Sequence, residues 1–222
     1  MLFSFCNPKG GVGKSTLAVH AVVWLAEKGK RMALVDADGQ SSSSFWLKEA
    51  APEIPLFRLI TADDLLEQIP KIQSEFEHVV IDGPGAFSEV TRSILLLTDL
   101  AFLPCGPTVL ELRAAHEAIR LVRQVQNIRK GPPKALLVPN QLHKRRLMSK
   151  EFLETAKSLE IPASSGLRDL KAYADAVGQG TVAWRMGREG IEAGTEIQQL
   201  FMEILTDAFI DETINERSVE NG

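Results

Sequence analysis

Short apolar runs alternate along this chain with longer segments in which apolar residues return every three or four positions. The runs "LFSFC" (2–6), "RMALVDAD" (31–38), "EHVVIDGPG" (77–85), "DLAFLPCGP" (99–107) and "KALLVPN" (134–140) are brief and bounded by turn residues, so they read as buried strands. "KSTLAVHAVVWLAEKG" (14–29) predicts the first helix. "VLELRAAHEAIRLVRQVQNIRK" (109–130) predicts another, with Leu112, Ala115, Ile119, Val122 and Val125 as its buried stripe. "IEAGTEIQQLFMEILTDAFIDETI" (191–214) predicts a last helix before the polar tail "NERSVENG". Strands alternating with helices predict an α/β fold: a single doubly wound, mostly parallel sheet flanked by helices. Polar and acidic residues gather at the carboxyl ends of the strands, where open sheets of this kind bind ligands.

With 222 residues, 45% hydrophobic and 24% charged, the chain predicts one domain over 1–222 with a flexible tail from about residue 214. No apolar run approaches the roughly 20 residues of a membrane span, and the N-terminus lacks a signal-peptide pattern, which predicts a cytoplasmic protein. Cys6 and Cys105 have no metal-ribbon or disulfide spacing and read as small buried hydrophobes.

The net charge of −4 hides a polarity. From Arg113 to Lys150 there are ten basic residues and one acid, Glu117, giving +9, so the remainder carries −13. Either a solvated face or an anion-binding surface produces such a run.

The chemistry concentrates in "NPKGGVGKST" (7–16). Gly13, Lys14 and Ser15 match the end of a phosphate-binding P-loop, although Pro8 stands where the strict pattern begins with glycine. Gly10, Gly11 and Gly13 let backbone N–H groups turn toward phosphate oxygens at the positive end of the following helix. In such a loop Lys14 neutralises β and γ phosphates, the Ser15 hydroxyl ligates Mg²⁺ and Thr16 reaches the α-phosphate. A single lysine suffices for this, which leaves Lys9 without a role.

"KGGVGKST" resembles the deviant Walker A motif of the ParA/MinD superfamily of dimeric P-loop ATPases, in which the extra lysine is the distinguishing mark. "VDADGQ" resembles the family's first switch, "VVIDGPG" its Walker B strand and second switch, and "LPCGPT" the next strand and loop. The likeness extends through "AYADAVGQGTVAWRMG" and resembles the small ParA proteins that lack an N-terminal DNA-reading extension.

This resemblance implies a P-loop NTPase fold, ATP and Mg²⁺ as cofactors, and slow, partner-stimulated hydrolysis of ATP to ADP and phosphate. Lys9 would reach the nucleotide of the other subunit in an ATP-dependent homodimer. The loop residues Lys9, Gly10, Gly11, Val12, Gly13, Lys14, Ser15 and Thr16 would hold the nucleotide. Asp38 would orient the attacking water, Asp36 would serve the Mg²⁺ shell beside Ser15, and Asp82 would act as the Walker B acid. Asn140, after "LLVP", is either an adenine contact or a plain turn residue. Gly39 replaces the family's usual proline, and Gly83 and Gly85 flank Pro84, so both switches are expected to be flexible.

ParA-type relatives bind DNA without sequence preference, through phosphate neutralisation. Lys144, Arg145, Arg146 and Lys150 are the compact candidates here, and Arg168 and Lys171 match positions resembling family DNA contacts. The leading expectation is a nucleoid-associated partition ATPase that works with a ParB-like or other cargo adaptor and positions a plasmid, chromosome or protein cargo. A MinD-like membrane switch is the alternative, but the acidic C-terminal end, from Glu203 to Glu220, opposes an anionic membrane. Iron-protein relatives need cysteine ligands that Cys6 is poorly placed to supply, and a tyrosine-kinase relative would carry a tyrosine-rich tail, whereas Tyr173 is the sole tyrosine.

Overall fold

A computed structural model describes residues 1–143, 159 and 161–205. Six strands form one parallel sheet: β1 (Leu2–Phe5), β2 (Met32–Asp36), β3 (Leu56–Arg58), β4 (His78–Asp82), β5 (Leu100–Cys105) and β6 (Lys134–Pro139), in the order β3-β2-β4-β1-β5-β6. The helices are α1 (Lys14–Glu27), α2 (Ser42–Ala50), α3 (Ala62–Glu75), α4 (Glu89–Leu97), α5 (Val109–Arg129), α6 (Lys171–Gly178) and α7 (Ile191–Ile204). Strand order reverses at β1, so the crevice beyond its carboxyl end, between β4 and β5, is where a doubly wound sheet takes its ligand.

Strand side chains alternate between two cores, as the period of a pleated strand requires. Phe3, Phe5, Leu34, Val80, Phe102 and Val138 face one core, with α1, α2 and α7. Leu2, Val35, Val79, Ile81, Leu103 and Leu137 face the other, with α3, α4 and α5. Both faces are covered, which explains why the strands read as unbroken apolar runs.

All five expected strands are present. The short edge strand β3 is an addition, since three residues carry too little periodicity to stand out. The stripe expected on α5 is wholly buried. Its start is fixed by a reciprocal capping box: Glu111 N–H donates to Thr108 Oγ1, and Thr108 N–H donates to the Glu111 carboxylate at 3.0 Å. Helix α7 follows the expected last helix as far as Ile204, and the rest of that expectation, with the tail, lies outside the described residues. No helix among the described residues is long and apolar enough to cross a membrane.

Candidate nucleotide site

The loop from Cys6 to Gly13 joins β1 to α1 at the carboxyl edge of the sheet. Its base is held by Asn7, whose Nδ2 donates to the Pro104 carbonyl (2.7 Å) while its Oδ1 accepts from Lys9 N–H (2.8 Å). Val12 is buried and anchors the apolar side. Gly11 and Gly13 have φ of 75° and 90°, a region that L side chains avoid. A Cβ on Gly13 would also lie 2.2 Å from Asn140 Nδ2.

The loop opens on a cavity of about 410 Å³, lined by Gly10, Lys14, Ser15, Asp38, Gln141 and Trp46 among others. Another, of about 490 Å³, lies between α4 and α5 and contains no phosphate-binding loop. Chemistry therefore places the ligand in the first.

The two lysines take different positions. Lys14 is buried, and its Nζ donates to the Lys9 carbonyl at 3.1 Å. Burial lowers its pKa, against the pull of the Asp82 and Asp38 carboxylates. Lys9 points away from the cradle: its Nζ lies 2.9 Å from Glu111 Oε1, and its side chain is 42% exposed. Burial works against the Glu111 carboxylate, but hydrogen bonds from Thr108 and Lys9 outweigh it and keep the pKa below the usual value.

Asp36 and Asp82 are both fully buried and pair at one register across β2 and β4. Every oxygen of Asp36 is engaged. Oδ1 accepts from Asp38 N–H (3.0 Å), and Oδ2 accepts from Ser44 N–H (2.9 Å) and Ser44 Oγ (2.5 Å). Asp36 thus caps α2 from a neighbouring strand, where Ser41, the residue at the cap position, makes no side-chain cap bond. Neither oxygen of Asp82 has a hydrogen-bond partner. Burial pushes its pKa up to about 7, while the nearby Ser15 and Ser43 hydroxyls favour ionisation.

Asp38 lies at the cleft with one oxygen held by Gln40 N–H at 3.0 Å. Asn140 turns its amide inward: Nδ2 donates to the Val12 carbonyl (2.8 Å), and Oδ1 accepts from Gln141 N–H (2.9 Å). The neighbouring Gln141, whose Nε2 donates to the Gly11 carbonyl, lines the cleft. The flexibility expected of Gly83 is not what that glycine provides. Its N–H donates to the Phe5 carbonyl, and a Cβ there would sit 2.9 Å from that same oxygen, so glycine permits a close approach. Gly85 faces Gly10 and the Lys14 ammonium, and a Cβ there would make only ordinary contacts, 3.6 Å from Nζ.

His20 ties the loop's helix to the chain's later part. Its Nδ1 is 2.7 Å from the Thr16 carbonyl, and its Nε2 accepts from Ala183 N–H at 3.1 Å. The indole of Trp46, a wall of the cleft, lies against this ring and donates to the Thr181 carbonyl. Sequence reasoning missed Trp46 and Gln141; neither belongs to a motif, and only tertiary packing brings them to the loop.

Residues 3–182 match the sequence profile of the "CobQ/CobB/MinD/ParA nucleotide binding domain". The chain belongs to this family. Maintenance of carboxysome distribution protein A of Halothiobacillus neapolitanus is 30% identical over 207 residues, covering 90% of this chain and 94% of that protein. Among solved structures, apo McdA of Cyanothece superposes with a TM-score of 0.74 at 15% identity, covering 92% of this chain and 99% of that one. MinD of Aquifex aeolicus gives 0.71 at 17%, covering 92% and 96%. At those identities the structural likeness speaks for the fold.

Of the expected DNA contacts, Lys144, Arg145, Arg146 and Lys150 lie outside the described residues. The Arg168 guanidinium is bound by Glu192 (2.7 Å) and Glu196 (2.7 Å), so its charge is balanced within the chain. Lys171 pairs with Asp175 at 3.2 Å on an open surface. Arg113, Arg120 and Arg123 remain exposed along α5.

Proposed function

We propose that this chain is an ATP-hydrolysing positioning switch of the ParA type. Two copies pair face to face when each holds ATP and Mg²⁺, the pair binds DNA without sequence preference, and hydrolysis prompted by a cargo adaptor releases it. The position of Lys9 is the observation that carries this reading. It lies at the open rim of the phosphate loop, turned from its own cradle, while Lys14 alone serves the interior.

The residues present fit a Mg²⁺–nucleotide. The cradle is a glycine-rich loop at a helix N-terminus with a buried cation inside, and Asp82 offers two unpartnered carboxylate oxygens near the Ser15 hydroxyl. Among the described residues no three His, Cys, Asp or Glu side chains form a metal cage. That suits an ion held largely by phosphate, Ser15 and water. Bound Mg²⁺ would neutralise phosphate charge. Lys14 would hold the β and γ phosphates, the loop N–H groups would orient them, and Asp38 would position the attacking water. Gln141, Trp46 and Val177 form the wall available to the base.

The relative that spans nearly all of the chain is named for carboxysome distribution, which supports a positioning role and directs attention to a protein-built cargo. The exposed arginines of α5 and the basic segment 144–150 are the surface proposed for DNA.

Co-sedimentation with nonspecific DNA and with anionic liposomes, in ATP and in ADP, tests the reading, together with sedimentation velocity of wild type and Lys9→Ala. ATP-dependent pairing and DNA pelleting that Lys9→Ala loses, with ATP binding kept through Lys14, is the expected result. Pelleting with liposomes alone would establish the membrane switch instead. A monomer in ATP would overturn the pairing.

A further inference from the structure

We propose that Ser43 is a positioning residue for the divalent cation, acting through Asp82. Helix α2 begins at Ser42, so Ser43 and Ser44 lie side by side in its first turn. These adjacent serines lie against adjacent strand ends. Ser44 gives its N–H and its hydroxyl to Asp36 at the end of β2, and Ser43 lies beside Asp82 at the matching register of β4.

The Ser43 contact differs in one respect. Ser43 is completely buried, yet its Oγ has no hydrogen-bond partner, and both oxygens of the equally buried Asp82 also lack one. A buried hydroxyl beside a buried carboxylate with no bond closed between them is unfavourable, since each group has left water without compensation. Such unpaired groups are uncommon in folded proteins, and an absent ion or water is one of their ordinary explanations. Here they sit together next to Ser15, at the foot of the phosphate cradle.

The consequence follows from what a hydroxyl can do. With a cation held near Ser15, the Ser43 O–H would be placed to donate to one Asp82 oxygen. The other oxygen would then be left for the cation. Ser43 reaches this position only because Ser44 and Asp36 fix the first turn of α2, and that turn follows directly on the segment bearing Asp38. Loading of the cation and placement of the Asp38 segment are therefore coupled through two neighbouring serines.

This inference rests on the Mg²⁺–nucleotide reading of the cleft, and Ser43→Ala tests it with two readouts. Calorimetric titration of Mg²⁺ into the ADP complex is expected to show affinity weakened about tenfold or more, the scale of one hydrogen bond to a charged group. ADP affinity in EDTA is expected to be unchanged. Thermal unfolding of the nucleotide-free protein is expected to give a Tm equal to or above wild type, because the substitution removes an unpaired buried hydroxyl. Wild-type Mg²⁺ affinity in Ser43→Ala overturns the role of Ser43 alone. A wild-type ADP complex that takes up no Mg²⁺ overturns the reading of the site. A lowered Tm of the nucleotide-free variant overturns the premise that the hydroxyl is unpaired.

Discussion

The ends of β2 and β4 present the same side chain at the same register and equal burial, and the two aspartates do opposite things. Asp36 accepts from three donors on the Asp38 segment and α2, which ties its carboxylate into the fold. Asp82 has none, so the burial of its carboxylate goes uncompensated. Proximity and burial alone would have given both residues one role. Their hydrogen bonds separate a carboxylate that holds the start of α2 from one left without a donor.

The largest effect is expected from removing the hydrogen-bonded member. Asp36→Ala strands Asp38 N–H, Ser44 N–H and the Ser44 hydroxyl and removes the cap of α2, and should lower stability by about 3–5 kcal/mol. Urea unfolding of the nucleotide-free protein measures this. A loss below that of an ordinary surface substitution would mean that α2 does not depend on Asp36.

Asp82→Asn should have the opposite sign. Asp82 titrates near 7 in the folded chain because of burial, far above an unfolded aspartate, so the native state holds a proton that the unfolded state has released. Wild-type stability from this group therefore falls as pH rises from about 4 to 7, and Asp82→Asn removes that fall, becoming the more stable protein by about 2 kcal/mol or more at pH 8. His20 has the reverse slope. Burial lowers its pKa to about 4, so the unfolded state takes up the proton first and stability declines as pH drops from about 6.5 toward 4, by about 3 kcal/mol in all. Denaturation between pH 4 and 8 should show the acid-side decline more steeply in Asp82→Asn than in wild type. Parallel curves would remove the distinction between the two aspartates.

The smallest effect on stability tests the same contrast in the lysines. Lys14 is held by a backbone carbonyl inside the cradle, Lys9 by the Glu111 carboxylate at its rim. Glu111→Gln should change stability by less than about 1 kcal/mol, the usual scale for a partly exposed pair. It should tighten ATP-dependent pairing severalfold by freeing Lys9, as sedimentation velocity would report. Weaker pairing would show that Glu111 presents Lys9 to the partner.

The phosphate loop, the five longer strands and the buried stripe of α5 were legible because each is a local pattern, readable from residues a few positions apart. What was not legible depends on residues brought together from afar. Lys9 and Glu111 are 102 residues apart, and Asn140 meets Val12 across 128. Asp36 and Asp82 carry identical local signals, so nothing in "VDADGQ" or "VVIDGPG" shows that Ser44 bonds to one and not to the other. Gly83 looked like a hinge because glycine permits both freedom and close contact, and only the distance to the Phe5 oxygen distinguishes them. The edge strand β3 was too short for its period to register.

The two partners of His20 define its protonation. Ala183 N–H can only donate, so Nε2 must accept, and the ring's single proton lies on Nδ1, facing the Thr16 carbonyl. Imidazole nitrogens differ widely in ¹⁵N chemical shift according to which of them carries hydrogen. One labelled histidine thereby becomes an internal gauge: its two resonances stay far apart while the loop's helix and the Ala183 segment remain joined, and would draw together on any event that parted them.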